Sequence, residues 1–417
     1  TATVKEQQIK GEWNAAQHIF PSSLAVLKGV TYTDTKSHYV GKIAELGATN
    51  QMTPTAEGRV NAQGSLNARN IEVTHAEAER GRALQVKIEG LGITSIAHDY
   101  DMTALDKLRE SGVLNNNAKP ADALSRFSSL LNAPGQGGPG GKNEFSLIMT
   151  NLFITGKDAG DAKPTEARLA SIKLGGTAHT DAAGLSNFTM GYEHGGFALT
   201  NMSSQILANL LPASVKFGAT IANLPAAGLL QSTVESLNGA ADETPRNTAR
   251  QAIGSAAAQM EKAGTLFTIT NLDFTSKALS ANTQGSIKPS TASPVGATGT
   301  LNTRLVGVNE LLARLAAGAK PPSADGTAQP QQDPNEGAVM MGLSMMQVYG
   351  QPVPDATPSA LSYKFELAQD GSLVLNGAPM FQTAGLVGPD DAPGTRAATK
   401  SGRRETVEGE PLPDLKP

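Results

Sequence analysis

The residues best equipped for chemistry sit in a few short stretches, and in each the spacing argues against a reaction centre. "HDYD" gathers His98, Asp99 and Asp101. A metal ion needs ligands that converge on one point. Alternation along a strand end splays these three, so the stretch reads as a solvated strand-to-helix junction. "HAEAER", residues 75–80, reads as a charged loop. "GYEHGG", residues 191–196, sets Glu193 beside His194, but adjacent strand residues face opposite ways and a turn is the better reading. "GLSMM", residues 342–346, resembles a nucleophile elbow but lacks the second glycine and the preceding strand. "GQGGPGG" lacks the Lys-Ser/Thr pair and the following helix of a phosphate loop. The expectation is a non-enzymatic protein with no catalytic residue, no metal site and no cofactor.

The totals narrow the partners. The 417 residues carry a net charge of −4, which gives no electrostatic reason to expect nucleic acid. The chain has no cysteine, which excludes disulfides, thiolate metal sites and cysteine nucleophiles and suits a protein exported from a Gram-negative cell. Charged residues make up 17% and aromatic residues 4%, so the core must come mainly from Leu, Ile, Val, Ala and Met. No run of eighteen apolar residues suggests a transmembrane helix. The start at "TATVKEQQ" fits a mature form from which a signal or anchor was removed, or a trimmed chain.

Methionine offers a softer kind of chemistry. Met340, Met341, Met345 and Met346 fall on one helical stretch, and Met341 and Met345, four apart, share a face. Such side chains suit apolar ligands of variable shape, or simply fill a gap in a core.

Periodicity then supplies the elements that must carry these groups. Alternating runs predict many strands, among them "RALQVKIEGLGITSIAHDY", "NEFSLIMTNLFITGK" and "EARLASIKLGGTAHT". "ALSYKFELAQDGSLVLNGAPM" is a hairpin turning at Asp370-Gly371. Helices are expected over the mixed N-terminal stretch ending near Pro21, over 101–132 in two pieces, at 202–211, in "AAGLLQSTVESLNG", from about Asn309, and in the Met-rich stretch. The clearest spans 244–264, with Thr244 as cap, Pro245 in the first position and Gly264 closing it.

Six strands share a peculiarity. In "TITNLDFTS" Phe267 and Ile269 alternate, then Leu272 and Phe274 alternate on the other parity. The pattern recurs around Gly29, Asn70, Gly90, Asn151 and Asn223. Residues three apart in an unbroken strand face opposite ways. Either one extra residue in a bulge returns Ile269 and Leu272 to one face, or the strand crosses from one buried face to the other. Gly and Asn best tolerate the left-handed backbone that such a break often needs. Either device curves a sheet.

These readings give an α+β fold of large, curved, mostly antiparallel sheets backed by short helices. Its expected parts are an N-terminal β-rich half with a helical end (1–132), a Gly/Pro-rich linker (133–142) and a second β-rich half with helices (143–316). A low-complexity linker (317–336), a Met-rich helix with a hairpin (337–386) and an unstructured tail (387–417) complete the chain.

A family resemblance is carried by "EKAGTLFTITNLDF", "LSANTQGSIK", "GATGTLNTRLVGVNELLARL" and the terminal "DGSLVLNGAPM". In this order they resemble an uncharacterised family of Gram-negative, mainly alphaproteobacterial, envelope proteins that is itself similar to the YdgA-like and AsmA-like proteins. The resemblance covers roughly residues 25–380. It implies export to the periplasm, membrane association through an N-terminal anchor, extended sheets backed by helices, and a role in lipid handling or envelope integrity. It transfers no catalytic residue.

Together these give two functional expectations. In the first, sheet faces bearing Phe145, Leu147, Met149, Phe267 and Ile269, with Met341 and Met345, hold a lipid or another apolar membrane-surface component. In the second, those faces are ordinary core and the chain is a structural or interaction component whose partner is an envelope protein.

Overall fold

The computed structural model describes residues 1–15, 19–56, 58–77, 81–101, 141–158, 163–181, 183–201, 205–239, 245–318 and 334–382. The helices expected over 101–132, most of both linkers and the tail lie outside the described residues.

Two N-terminal strands, β1 (Ala2–Thr3) and β2 (Glu6–Asn14), precede six long ones: β3 (Ile19–Asp34), β4 (Tyr39–Ala56), β5 (Arg59–Glu77), β6 (Arg82–Asp101), β7 (Lys142–Lys157) and β8 (Thr165–Thr180). Shorter elements follow: β9 (Ser186–Gly195), β10 (Ala198–Leu199), α1 (Gln205–Leu210), β11 (Pro212–Leu224), α2 (Ala226–Gly239), α3 (Pro245–Ala263), β12 (Leu266–Ser276), β13 (Ser280–Pro289) and β14 (Ala297–Val306). The chain ends in α4 (Val308–Gly318), α5 (Pro334–Tyr349), β15 (Gln351–Pro352), β16 (Ala360–Leu367), β17 (Ser372–Leu375) and β18 (Ala378–Gln382).

All the strands join one open antiparallel sheet, in which nearly every strand pairs with its predecessor in sequence. β6 and β7 pair without interruption of register from Ala83 to Ala97, so the sheet runs through the point where the sequence loops out. The N-terminal stretch is a correction. Glu6–Glu12 pairs with Ser22–Lys28 as a hairpin, not a helix. Pairing along the edge of a large sheet outweighs the modest helix propensity of its Lys, Glu, Gln and Ala residues. The other helices inside the described residues form where periodicity placed them, and Gly264 ends α3 at φ +68°.

The strand breaks are of two kinds. At Asn271 an extra residue enters β12: Gly218 and Ala219, adjacent in β11, oppose Asn271 and Ile269. Ile269 and Leu272 then oppose Ala219 and Phe217, two apart, so the bulge returns them to one face. Farther into the sheet the breaks form a row. Gly29, Asn70, Asn151 and Gly196 have φ of 50–70° and stand opposite Ala44, Glu89 and Ala170 in successive strands. The register is unchanged on either side of this row, because each of β3 to β8 leaves one residue unpaired at this level. Gly90, expected as an anchor, pairs with Arg69 and Thr150 and is not left-handed; the unpaired residue of β6 is its neighbour Glu89, whose carboxylate accepts a hydrogen bond from the Asn151 amide. Asn223 is left-handed too, at the end of β11 where the pairing with β9 slips.

The densest core lies at the C-terminal end of the sheet. Val308 and Leu311 of α4 and Leu343 of α5 pack on Leu361, Tyr363 and Leu375. Tyr363 donates its hydroxyl to the carbonyl of Met346, 2.6 Å away, and ties the end of α5 to β16.

Candidate functional site

Residues directly opposite each other in neighbouring strands share a face, so the register traces one face across the sheet. From Leu147 the partners are Leu174, Tyr192, Phe217, Leu272, Thr283, Thr303 and finally Tyr363. From Met149 they lead through Ile172, His194, Val215 and Phe274 to Leu305 and Leu361. From Phe145 they lead through Met190, Ala219, Ile269 and Leu301 to Phe365 and Leu375. Phe267 stands in the next row with Phe188, Ile221 and Ile287. Phe145, Leu147, Met149, Phe267 and Ile269 therefore occupy one continuous apolar face.

That face is covered at one end and open at the other. Leu361, Tyr363 and Leu375 lie buried beneath α4 and α5. In the same rows, over β5 to β9, Leu66, Ile93, Phe145 and Met190 each keep more than a third of their surface exposed. Helices α4 and α5 cover only the C-terminal strands, and α3 packs toward β13, with Gly296 of the loop before β14 near Ala257. Leu66, Ile93, Leu174, Tyr192 and Phe217 were missed among the site residues. The alternation that identified β7 runs through their strands as well.

Met341 and Met345 are not on this face. They lie on the side of α5 away from Leu343, with 68% and 53% of their surface exposed. An α-helix turns 100° per residue, so a residue midway between two that are four apart points away from both.

The ionisable stretches disperse as strand geometry requires. Asp99 pairs with Arg59, and its backbone N–H donates to the Asn61 side chain at 2.8 Å. His98 stands 3.8 Å from Glu144, whose carboxyl is held below its usual range mainly by the Lys142 ammonium at 2.5 Å. Glu193 and His194 lie in β9, not in a turn, and face opposite ways: Glu193 approaches Lys173 at 4.0 Å, while His194 meets the Tyr192 hydroxyl at 3.0 Å. Among the described residues no three His, Asp or Glu side chains are grouped as metal ligands, and no helix is long and apolar enough to cross a membrane.

Comparison with family models, with curated proteins and with solved structures finds no match to this chain.

Proposed function

We propose that this chain is a non-enzymatic protein of the Gram-negative cell envelope, periplasmic and membrane-associated, that binds lipid or another apolar envelope component on the open part of its apolar sheet face. The observation that carries the reading is the continuity of that face: rows that end in a packed core beneath α4 and α5 continue, still apolar, over strands where their side chains meet solvent. The resemblance to an uncharacterised family of Gram-negative envelope proteins, itself similar to the AsmA-like proteins, and the absence of cysteine support the same reading.

The energetics suit a chain-like ligand. From β5 to β9 there are four strand spacings of about 4.8 Å, room for most of an extended acyl chain lying across the strands. Each methylene withdrawn from water gains about 0.8 kcal/mol, so a long chain recovers enough to offset the ~4 kcal/mol or more lost on association. Wide contact with half-exposed Leu, Ile, Phe and Met side chains accounts for retention without a charged anchor point.

The test is organic extraction and mass spectrometry of the protein purified from its native envelope. A co-purifying lipid near one equivalent supports the proposal and identifies the ligand class. A folded, lipid-free protein that binds no apolar dye overturns it and leaves the structural or protein-interaction role.

A further inference from the structure

The two edges of the sheet are built differently. β18, at one, is five residues long and carries Pro379, which offers no N–H to a further strand. β2, at the other, is nine residues long without a proline, and among the described residues it pairs with β3 alone. Alternate residues of an antiparallel edge strand turn their N–H and C=O groups away from the sheet. The outer side of β2 is therefore a template for one more strand.

From Glu6 to Trp13 every residue of β2 is exposed. Its odd-numbered residues lie on the apolar face. The row of Leu147, Ile93 and Leu66 runs on through Ala48 and Ala25 to Ile9. Trp13 and Phe20 lie 4.9 Å apart between ring centres, and the same Phe20 ring stands 3.4 Å from where a β-carbon on Gly11 would be, so positions 11 and 13 share that face. Ile9 and Trp13 keep 74% and 53% of their surface exposed. Lys10 and Glu12 alternate with them on the polar face.

This edge is complementary to itself. Two copies of β2 related by a two-fold axis turn the same alternate residues toward each other, so their pairing must be centred on a residue and not between two. Centred on Ile9, it sets Glu6 against Glu12. Centred on Lys10 or on Glu12, it sets a charge against its own copy, and centred on Gln8 it sets Ile9 against Gln7. Centred on Gly11, it sets Ile9 against Trp13 and Lys10 against Glu12, each twice, with Gln8 opposite Asn14. Apolar pairs and opposite charges across strands stabilise a sheet, and like charges directly opposite destabilise it. We infer that β2 pairs antiparallel with β2 of a second copy of this chain, in the register centred on Gly11. The two sheets then join into one. Directly opposite residues share a face, so the two apolar faces meet at the Ile9 and Trp13 pairs and become continuous. The pairing does not depend on lipid binding.

Sedimentation velocity of the full chain over a range of concentrations tests the inference. The expected result is a reversible equilibrium between monomer and dimer. Lys10→Glu and Glu12→Lys, both at exposed positions, each set like charges opposite one another and should weaken the dimer at least about tenfold. The double variant restores opposite charges in this register alone and should return the dissociation constant to within about threefold of the wild type. A chain that stays monomeric up to about 100 µM overturns the inference and leaves the edge to a strand of another protein. A dimer that neither single variant weakens, or that the double variant does not restore, also overturns it, because its contact then lies elsewhere or in another register.

Discussion

Phe145 in β7 and Leu375 in β17 stand in one row of the sheet, joined by eight successive strand pairings, yet 48% of Phe145 is exposed and only 6% of Leu375. The same row is core at one end and open surface at the other. Leu375→Ala should therefore lower stability by about 2–5 kcal/mol, as for other large-to-small core changes. Phe145→Ser should lower it by less than about 1 kcal/mol while reducing the lipid that co-purifies. Urea denaturation and lipid extraction on the two variants check the contrast.

The two sides of α5 differ in the same way. Leu343 is buried against the C-terminal strands, and Leu343→Ala should cost about 2–5 kcal/mol. Met345→Ala, on the exposed side, should change stability by no more than about 0.5 kcal/mol. Thermal melts of both variants measure this.

The row of left-handed residues makes a backbone prediction. Asn151 sits at φ 50°, where a β-branched side chain is strongly disfavoured. Asn151→Val should destabilise by about 1–2 kcal/mol although valine is the better strand former, and Asn151→Gly should be nearly neutral. A result with valine neutral and glycine disruptive would show that Asn151 acts through its amide contact with Glu89 rather than through its backbone.

Glu310 couples α4 to β16. Its carboxylate accepts the Ser359 backbone N–H and hydroxyl at 2.9 Å, and these bonds, the backbone one foremost, hold its pKa below the usual 4.5. The folded pKa lies below the unfolded one, so the contribution is complete above the ordinary glutamate range. It is lost as pH falls through the lowered value. Glu310→Gln should melt lower than the wild type at pH 7, and the gap should narrow in acid below that range. Melting temperature against pH for both proteins tests it.

Much of the sheet is legible in the sequence because a half-buried strand writes its period into its side chains. Phe145, Leu147 and Met149 announce one face of β7, and the parity change at Asn151 announces the break. The N-terminal hairpin is not legible: Glu6–Asn14 has no apolar alternation, and only the edge of β3 makes it a strand. Nor could the spacing tell a bulge, as at Asn271, from a level at which neighbouring strands break together, as at Gly29, Asn70 and Asn151. That distinction depends on what stands opposite, and the partner is another part of the chain.

The sequence by itself determined the β-rich class, the alternating apolar faces, the placement of α1 to α5 and the points where strands change phase. These follow from local periods, caps and the conformational tolerance of Gly and Asn. The tertiary structure decided which strands stand side by side, that Phe145 and Leu375 share a row, and that α4 and α5 cover only one end of it. Register couples residues more than two hundred positions apart, and no local pattern records which of them will be covered.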